Sequence, residues 1–336
     1  MGGAKAKQKP KKKPNFYRAW RQGIFPYPRR AAVPAVFAAQ ARKWTGKGWV
    51  VVAEGGNGRE KVTVLEKGVK LTSRHEDILL AAVSSGTKDF IEEDGLRYVY
   101  YKTSLYKICK ELGLEPTKGN RDWVAQMLED LKTTTVWLKK GEGKSEEGIK
   151  FNIIEYYHYT TTEDGNREYH IRLHSTFARL VENGYIRIAW KERKQLQSPL
   201  AKALYRYVSS MRKGILEEGV IIPAKKVFNE IGYSPPQGTK KVKGREYTCI
   251  RWNKVKEEWK QACEELERVG IIISFSFSGK KADWGVVSFR LAPSPLPLRR
   301  TEDKKSSPSF LYSLRKNTGT VKRQKIRGDR TVKGQK

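Results

Sequence analysis

Cysteine and methionine are scarce in these 336 residues, three of each, and histidine occurs four times. The cysteines Cys109, Cys249 and Cys263 are too scattered for a disulfide framework or a metal-ligand spacing. No apolar run approaches the ~20 residues of a membrane span, and no charged-then-apolar signal segment opens the chain. A reducing, intracellular protein without membrane attachment is the expectation. Acid is missing where base is dense: residues 1–30 hold ten Lys/Arg and no Asp or Glu, and residues 299–336 hold thirteen against three. The whole chain carries +32, so a clear basic excess also falls on the stretch between the tails. Surface as well as tail is therefore suited to a polyanion.

Catalytic constellations are lacking too. Gly143-Lys144-Ser145 invites a phosphate-loop reading, but Leu138 stands where the first glycine belongs, in a wing turn. His170, Arg172 and His174 alternate along one strand face, which suits a solvent-facing strand better than a metal site. The His-apolar-His motif of rolling-circle endonucleases, paired carboxylates and a Ser/His/Asp set are not found. No enzyme, cofactor or metal is expected.

What is present is a duplication. Leu105, Ile108, Cys109 and Leu112 form an i, i+3, i+4, i+7 stripe closed by Gly113; Ala224, Val227, Phe228 and Ile231 repeat it, closed by Gly232. Longer stripes follow at Val124, Met127, Leu128, Leu131 and at Trp259, Ala262, Cys263, Leu266, each leading to an apolar strand. The offset is 119 in the short helices and 135 in the long ones, so the second copy carries sixteen extra residues between its helices. Helix, turn, helix, hairpin is the winged-helix plan, and a pair of them in a basic chain points at DNA.

The predicted fold is α+β: two tandem winged-helix domains with disordered basic N- and C-terminal tails. Residues 1–30 are expected as the arm and 31–70 as a helix (31–44) plus a hairpin around the glycines 55–58. Domain 1 is expected over 71–197, domain 2 over 198–292 and a tail over 293–336. In domain 1, Ser73 and Glu76 predict a capping box. Strands are expected near Ile91 and Tyr98–Tyr101, a wing at Val136–Lys139 and Phe151–Tyr159, and a further strand at Arg167–Leu173. A helix near Thr176–Glu182 and a strand at Tyr185–Trp190 close the domain. In domain 2, Ser198 and Pro199 mark a helix start, and a hairpin of Ile271–Phe277 and Trp284–Leu291 forms the wing.

The second helix of such a unit meets base edges through its first residues. Over Cys249–Val269 the predicted helix begins with Arg251, Lys254 and Lys256 and ends with Glu264, Glu265 and Glu267, opposite to what the helix dipole prefers. Phosphate would offset that cost. Arg251 is the candidate base reader, because arginine pairs bidentately with guanine. Arg245, Tyr247 and Thr248 suit phosphate contacts, as do Lys240, Lys241 and Lys243 of the insert and Lys280 and Lys281 at the wing tip. In domain 1 the corresponding positions are Thr117, Lys118, Asn120 and Arg121, with Lys139, Lys140 and Lys144 in the wing.

The chain resembles the TrfA-type plasmid replication initiators, within the two-winged-helix class that binds repeated origin sequences (iterons). The resemblance rests on Arg30-Ala31-Ala32-Val33-Pro34 and on Val69-Lys70-Leu71-Thr72 with Glu76-Asp77. It continues through Ile171-Arg172-Leu173-His174-Ser175-Thr176-Phe177-Ala178-Arg179-Leu180 and Leu200-Ala201-Lys202-Ala203-Leu204-Tyr205. The long basic tail and the insert depart from the family pattern. The resemblance implies a non-enzymatic bacterial, plasmid-associated protein that binds double-stranded origin DNA and helps open an adjacent AT-rich segment. It also implies recruitment of the host replicative helicase and other replication proteins, and homodimerisation through domain 1. Gln195-Leu196-Gln197-Ser198 is half of the family's sliding-clamp peptide, and Phe310-Leu311-Tyr312 is another candidate partner peptide. A transcriptional repressor of the same fold is the alternative.

Overall fold

Three of the predicted helices owe their starts to local chemistry. In α1 (Ser73–Ser85) the Thr72 N–H donates to His75 Nδ1 at 3.0 Å, so the cap is built by Thr72 and His75 instead of the expected Ser73 and Glu76. Ser104 Oγ accepts from the Lys107 N–H ahead of α2 (Leu105–Glu111), and Thr117 Oγ1 accepts from the Asn120 N–H ahead of α3 (Lys118–Thr133). The computed structural model describes residues 24–28, 35–39, 45–56, 61–93, 96–141, 146–163, 167–176, 185–211, 220–242, 245–278 and 286–291. The rest of the two basic tails, most of the 176–182 helix and the 183–184 turn lie outside these residues.

Strand β1 (Ile24–Pro28) corrects the reading of 1–30 as wholly disordered: it pairs antiparallel with β10 (Tyr185–Ala189). Residues 35–39, expected inside a helix, run instead as turn and bend with a parallel bridge between Ala38 and Thr72. The hairpin of β2 (Thr45–Gly56) and β3 (Lys61–Val69) is present and is hydrogen-bonded through β3 to β6 (Thr135–Lys140), which pairs with β7 (Glu147–Asn152). A second sheet runs β4-β5-β9-β8, from β4 (Thr87–Glu93), β5 (Leu96–Thr103), β8 (Ile154–Thr161) and β9 (Arg167–Leu173). The single strand expected over Phe151–Tyr159 is therefore two strands in two sheets. Ile153 and Ile154 are both fully buried, which breaks the two-residue alternation and turns the chain from one sheet into the other.

Helices α1, α2 and α3 pack on one another. Most of their predicted stripe residues are buried: Ile78, Leu79, Ile108, Cys109, Val124, Leu128 and Leu131 have essentially no exposure, while Leu105, Leu112 and Met127 are half-buried. After β10 come α4 (Trp190–Arg193) and α5 (Pro199–Ser209), the latter capped by Ser198 with Pro199 at its first position, as expected. Strand β11 (Val220–Pro223) leads into α6 (Ala224–Ile231), and β12 (Gln237–Val242) and β13 (Arg245–Ile250) form the insert. The next helix, α7 (Trp252–Arg268), is followed by the hairpin of β14 (Ile272–Ser278) and β15 (Val286–Leu291), with β11 added in the order β11-β15-β14. Phe228, Tyr233 and Trp259 cluster here, Phe228 at 4.9 Å from each of the other two rings.

The two helical groups are stitched together by the segment 35–39. Ala38 N–H donates to Leu71 O and Ser73 N–H to Ala38 O on one side, while Ala35 and Ala39 N–H groups donate to Glu230 O and Ile231 O on the other. The bonded positions Ala35, Ala38 and Ala39 are small, while Phe37 is fully buried. Gly232 closes α6 at φ 66°, where a Cβ would meet Val52 O at 2.8 Å and Ala38 at 3.3 Å.

The buried His75 is held between Thr72 and Asp130, whose carboxylate lies 3.2 Å from Nε2. Burial lowers its pKa and outweighs the opposing pull of Asp130. A depressed folded pKa means that the neutral ring contributes stability fully above about pH 6.5, and that this is lost as pH falls through the folded value. His170 is lowered as well, by burial first and His158 next. We expect thermal stability to fall on acidification below about pH 6.5, and His75→Gln to remove part of that pH dependence in melting curves. An unchanged acid profile in the variant would show that His75 does not carry it.

Candidate nucleic-acid interface

At the start of α3 the sequence-predicted residues divide into two roles. Thr117 is the N-cap, and Asn120 Nδ2 donates to Glu115 O at 2.7 Å, so both build the helix start. Lys118 and Arg121 are exposed on its first turns. Lys139 and Lys140 lie on β6; Lys139 pairs with Glu146 at 2.5 Å and stands over the Trp137 ring at 4.5 Å. Lys144 lies outside the described residues.

The second helix of the later group begins at Trp252, three residues beyond the expected start, because Cys249 and Ile250 belong to β13. Arg251 is its N-cap residue and contributes no side-chain cap; its N–H donates to Pro236 O at 2.9 Å. Its side chain crosses Gly238, where a Cβ would lie 3.1–3.2 Å from Arg251 Cγ, Cδ and Nε. The lack of a side chain on β12 thus leaves room for the arginine stem. Arg251, Lys254 and Lys256 are all exposed, and the first turn of α7 contains no acid.

The insert is a two-stranded antiparallel ribbon directly ahead of this helix. Its register sets Lys240 opposite Tyr247, Lys241 opposite Glu246, Val242 opposite Arg245 and Thr239 opposite Thr248. Thr248 is exposed. Lys243, Lys280 and Lys281 lie outside the described residues. At the far end of α7, Glu265 accepts from the backbone N–H of Gln197 at 2.7 Å and of Ser198 at 3.0 Å. That acid fixes the approach to α5, so part of the reversed charge pattern is structural. Leu196 is buried, which removes it from use as an exposed clamp peptide.

His170, expected to face solvent, is buried instead: Nδ1 meets Tyr100 Oη at 2.5 Å and Nε2 meets Thr160 Oγ1 at 3.1 Å, with the His158 ring stacked at 4.7 Å. Among the described residues no group of three His, Cys, Asp or Glu side chains is placed to hold a metal, and no helix is long and apolar enough to cross a membrane.

Two arrangements were not foreseen. Glu76 and Asp77 meet Arg193, Lys202 and Arg206 in a buried ionic cluster. Trp49 and Trp137 meet on the outer face of the first sheet; the alternation of Trp137 with the apolar Val136 and Leu138 was the available signal.

No curated protein sequence matches the chain. A crystal structure of domains 2 and 3 of RctB is similar with a TM-score of 0.50 at 11% identity, covering 80% of this chain and all of that one. A second RctB domains 2–3 structure gives 0.44 at 11% identity, over 76% and 94%. At such identity the first likeness concerns the fold alone. Residues 60–209, from β3 through α5, match the family model described as Initiator Replication protein, WH1. This chain is therefore similar over that stretch to initiator replication proteins, and the match supports a DNA-binding replication initiator.

Proposed function

We propose that the protein is a plasmid replication initiator that binds iterons in double-stranded DNA through two tandem winged helices. The observation that carries this reading is the match of residues 60–209 to initiator proteins, together with the recurrence of its helix-helix-hairpin order in α6, α7 and β14–β15. Cations open the second helix of each group, where base edges and phosphates are met. Two such helices would address groove segments about 34 Å apart, so one chain would cover roughly 15–22 bp. Binding would promote opening of an adjacent AT-rich segment and recruitment of the host replicative helicase in the bacterial cytoplasm. Pairing of two copies through the first domain is part of the same proposal.

The test places the gene and its flanking DNA on a vector with no other origin. Autonomous replication by the wild type, lost with Arg251→Glu, supports initiation through α7. Tight footprinting of a promoter palindrome without replication would replace the initiator by a repressor.

A further inference from the structure

The outward face of the β2-β3-β6-β7 sheet carries a group that α3 and α7 do not use. Trp137 stands between the buried Val136 and Leu138, so it points to the opposite side from them. The register sets it beside Leu65 on β3 and Lys150 on β7, and sets Val51 on β2 beside Leu65. Trp49 meets Trp137 edge to face, with centroids 5.2 Å apart and planes at 64°. Lys150 Nζ stands 4.3 Å from the Trp137 centroid and 5.3 Å from that of Trp49. Gly148 is needed beneath the indole, since a Cβ there would fall 2.3 Å from Trp137 Nε1. Val51 is 52% exposed.

Leu65, Trp49 and Trp137 are half-buried beside the exposed Val51; apolar and aromatic surface of this kind marks a binding face, and its charge selects the occupant. Glu54 is paired with Lys61 at 3.5 Å and Glu146 with Lys139 at 2.5 Å, while Lys67 and Lys150 are exposed. The face is cationic around two indoles. A DNA duplex hides its base faces, whereas an unpaired strand offers them for stacking and presents phosphates to ammonium groups.

We propose that this face binds single-stranded DNA, with bases stacking on Trp49 and Trp137 and phosphates held by Lys150. Lys150 exchanges its contact with the rings for a charge-assisted one with phosphate. The choice of DNA over RNA rests on the initiator reading, in which origin opening supplies unpaired DNA. Helix α3 packs against β3 and β7 on the buried side of the same sheet, and among the described residues Val51, Lys67 and Lys150 on the outer face are exposed.

Fluorescence anisotropy with the full chain tests it, using labelled oligo(dT), oligo(U) of equal length and the duplex flanking the gene. Trp137→Ala and Lys150→Glu should each weaken oligo(dT) binding about tenfold or more and leave duplex binding unchanged. Trp137→Phe, which keeps a stacking ring, should retain most of it. Unchanged oligo(dT) binding in both variants overturns the proposal. So does an equal loss on duplex, a preference for oligo(U), or a change confined to self-association in sedimentation. Wild-type oligo(dT) binding that depends on Trp137, with no duplex binding at all, would uphold this face while removing the initiator reading.

Discussion

Glu76→Ala should lower the free energy of unfolding by about 3–5 kcal/mol, the cost of breaking a buried ion pair by removing one partner. Glu76, Arg193 and Arg206 have side chains with no exposure. One carboxylate oxygen accepts from Arg193 Nη2 at 2.8 Å and from Arg206 Nη1 in a shorter contact. Asp77 still receives Arg193 Nε at 2.8 Å and Lys202 Nζ at 2.5 Å after the change, so Arg193 keeps a counter-charge. Arg206 loses this carboxylate while still donating to the Phe37 carbonyl at 2.6 Å, and a neutral carbonyl does not balance a guanidinium. The measurement is urea unfolding of the full chain. A reduced midpoint with an unchanged slope is expected. The double variant Glu76→Leu/Arg206→Met should lose less than the two single losses added, because it removes both charges together. A loss below about 1 kcal/mol for Glu76→Ala would mean that water reaches the cluster.

This cluster also shows where sequence reading stops. Ser73 and Glu76 satisfy a local capping pattern, and local patterns are all that spacing can reveal. The actual partners of Glu76 lie 117 and 130 residues away, and nothing in a three-residue spacing encodes them. The helix stripes were legible because burial in a helix recurs every three or four residues and survives in the sequence. Hence Ile108, Cys109, Val124, Leu128, Val227, Phe228, Trp259 and Cys263 are all in the core, as expected. Burial also raises the Cys109 and Cys263 thiols, which agrees with their reading as packing residues.

Short or phase-broken segments were less legible. The Ala-rich stretch 35–39 suits a helix by propensity, yet tertiary hydrogen bonds to Leu71, Ser73, Glu230 and Ile231 claim its backbone. The offset between the two copies located the insert but not its form; the start of α7 moved to Trp252 because β13 takes the residues up to Ile250. For the candidate interface, sequence identified the exposed cations Lys118, Arg121, Arg251 and Lys254 but could not distinguish them from Thr117 and Asn120, whose polar groups close the helix start.

Arg251→Asp should separate stability from binding. Arginine at this position places a cation beside the positive end of the α7 dipole, and its side chain makes no cap. An aspartate reverses the charge and should stabilise the fold by about 0.5–1 kcal/mol at low salt. The same change removes a guanidinium able to grip guanine, a contact that contributes about 1–3 kcal/mol of discrimination, and sets an anion against phosphate. Binding to the specific duplex is therefore expected to weaken by at least about tenfold, while Arg251→Ala relaxes specificity at one base pair with a smaller overall loss. Lys254→Ala, by contrast, should weaken all duplexes alike and reduce the salt slope by about one. Titrations of matched and mismatched duplexes at two salt concentrations, beside urea unfolding of the same variants, give both readouts. If Arg251→Asp is more stable and binds less, the arginine is held at the helix start by its partner and not by the fold. If it is less stable, the stem packed over Gly238 contributes more to folding than the dipole costs, and Arg251 is structural.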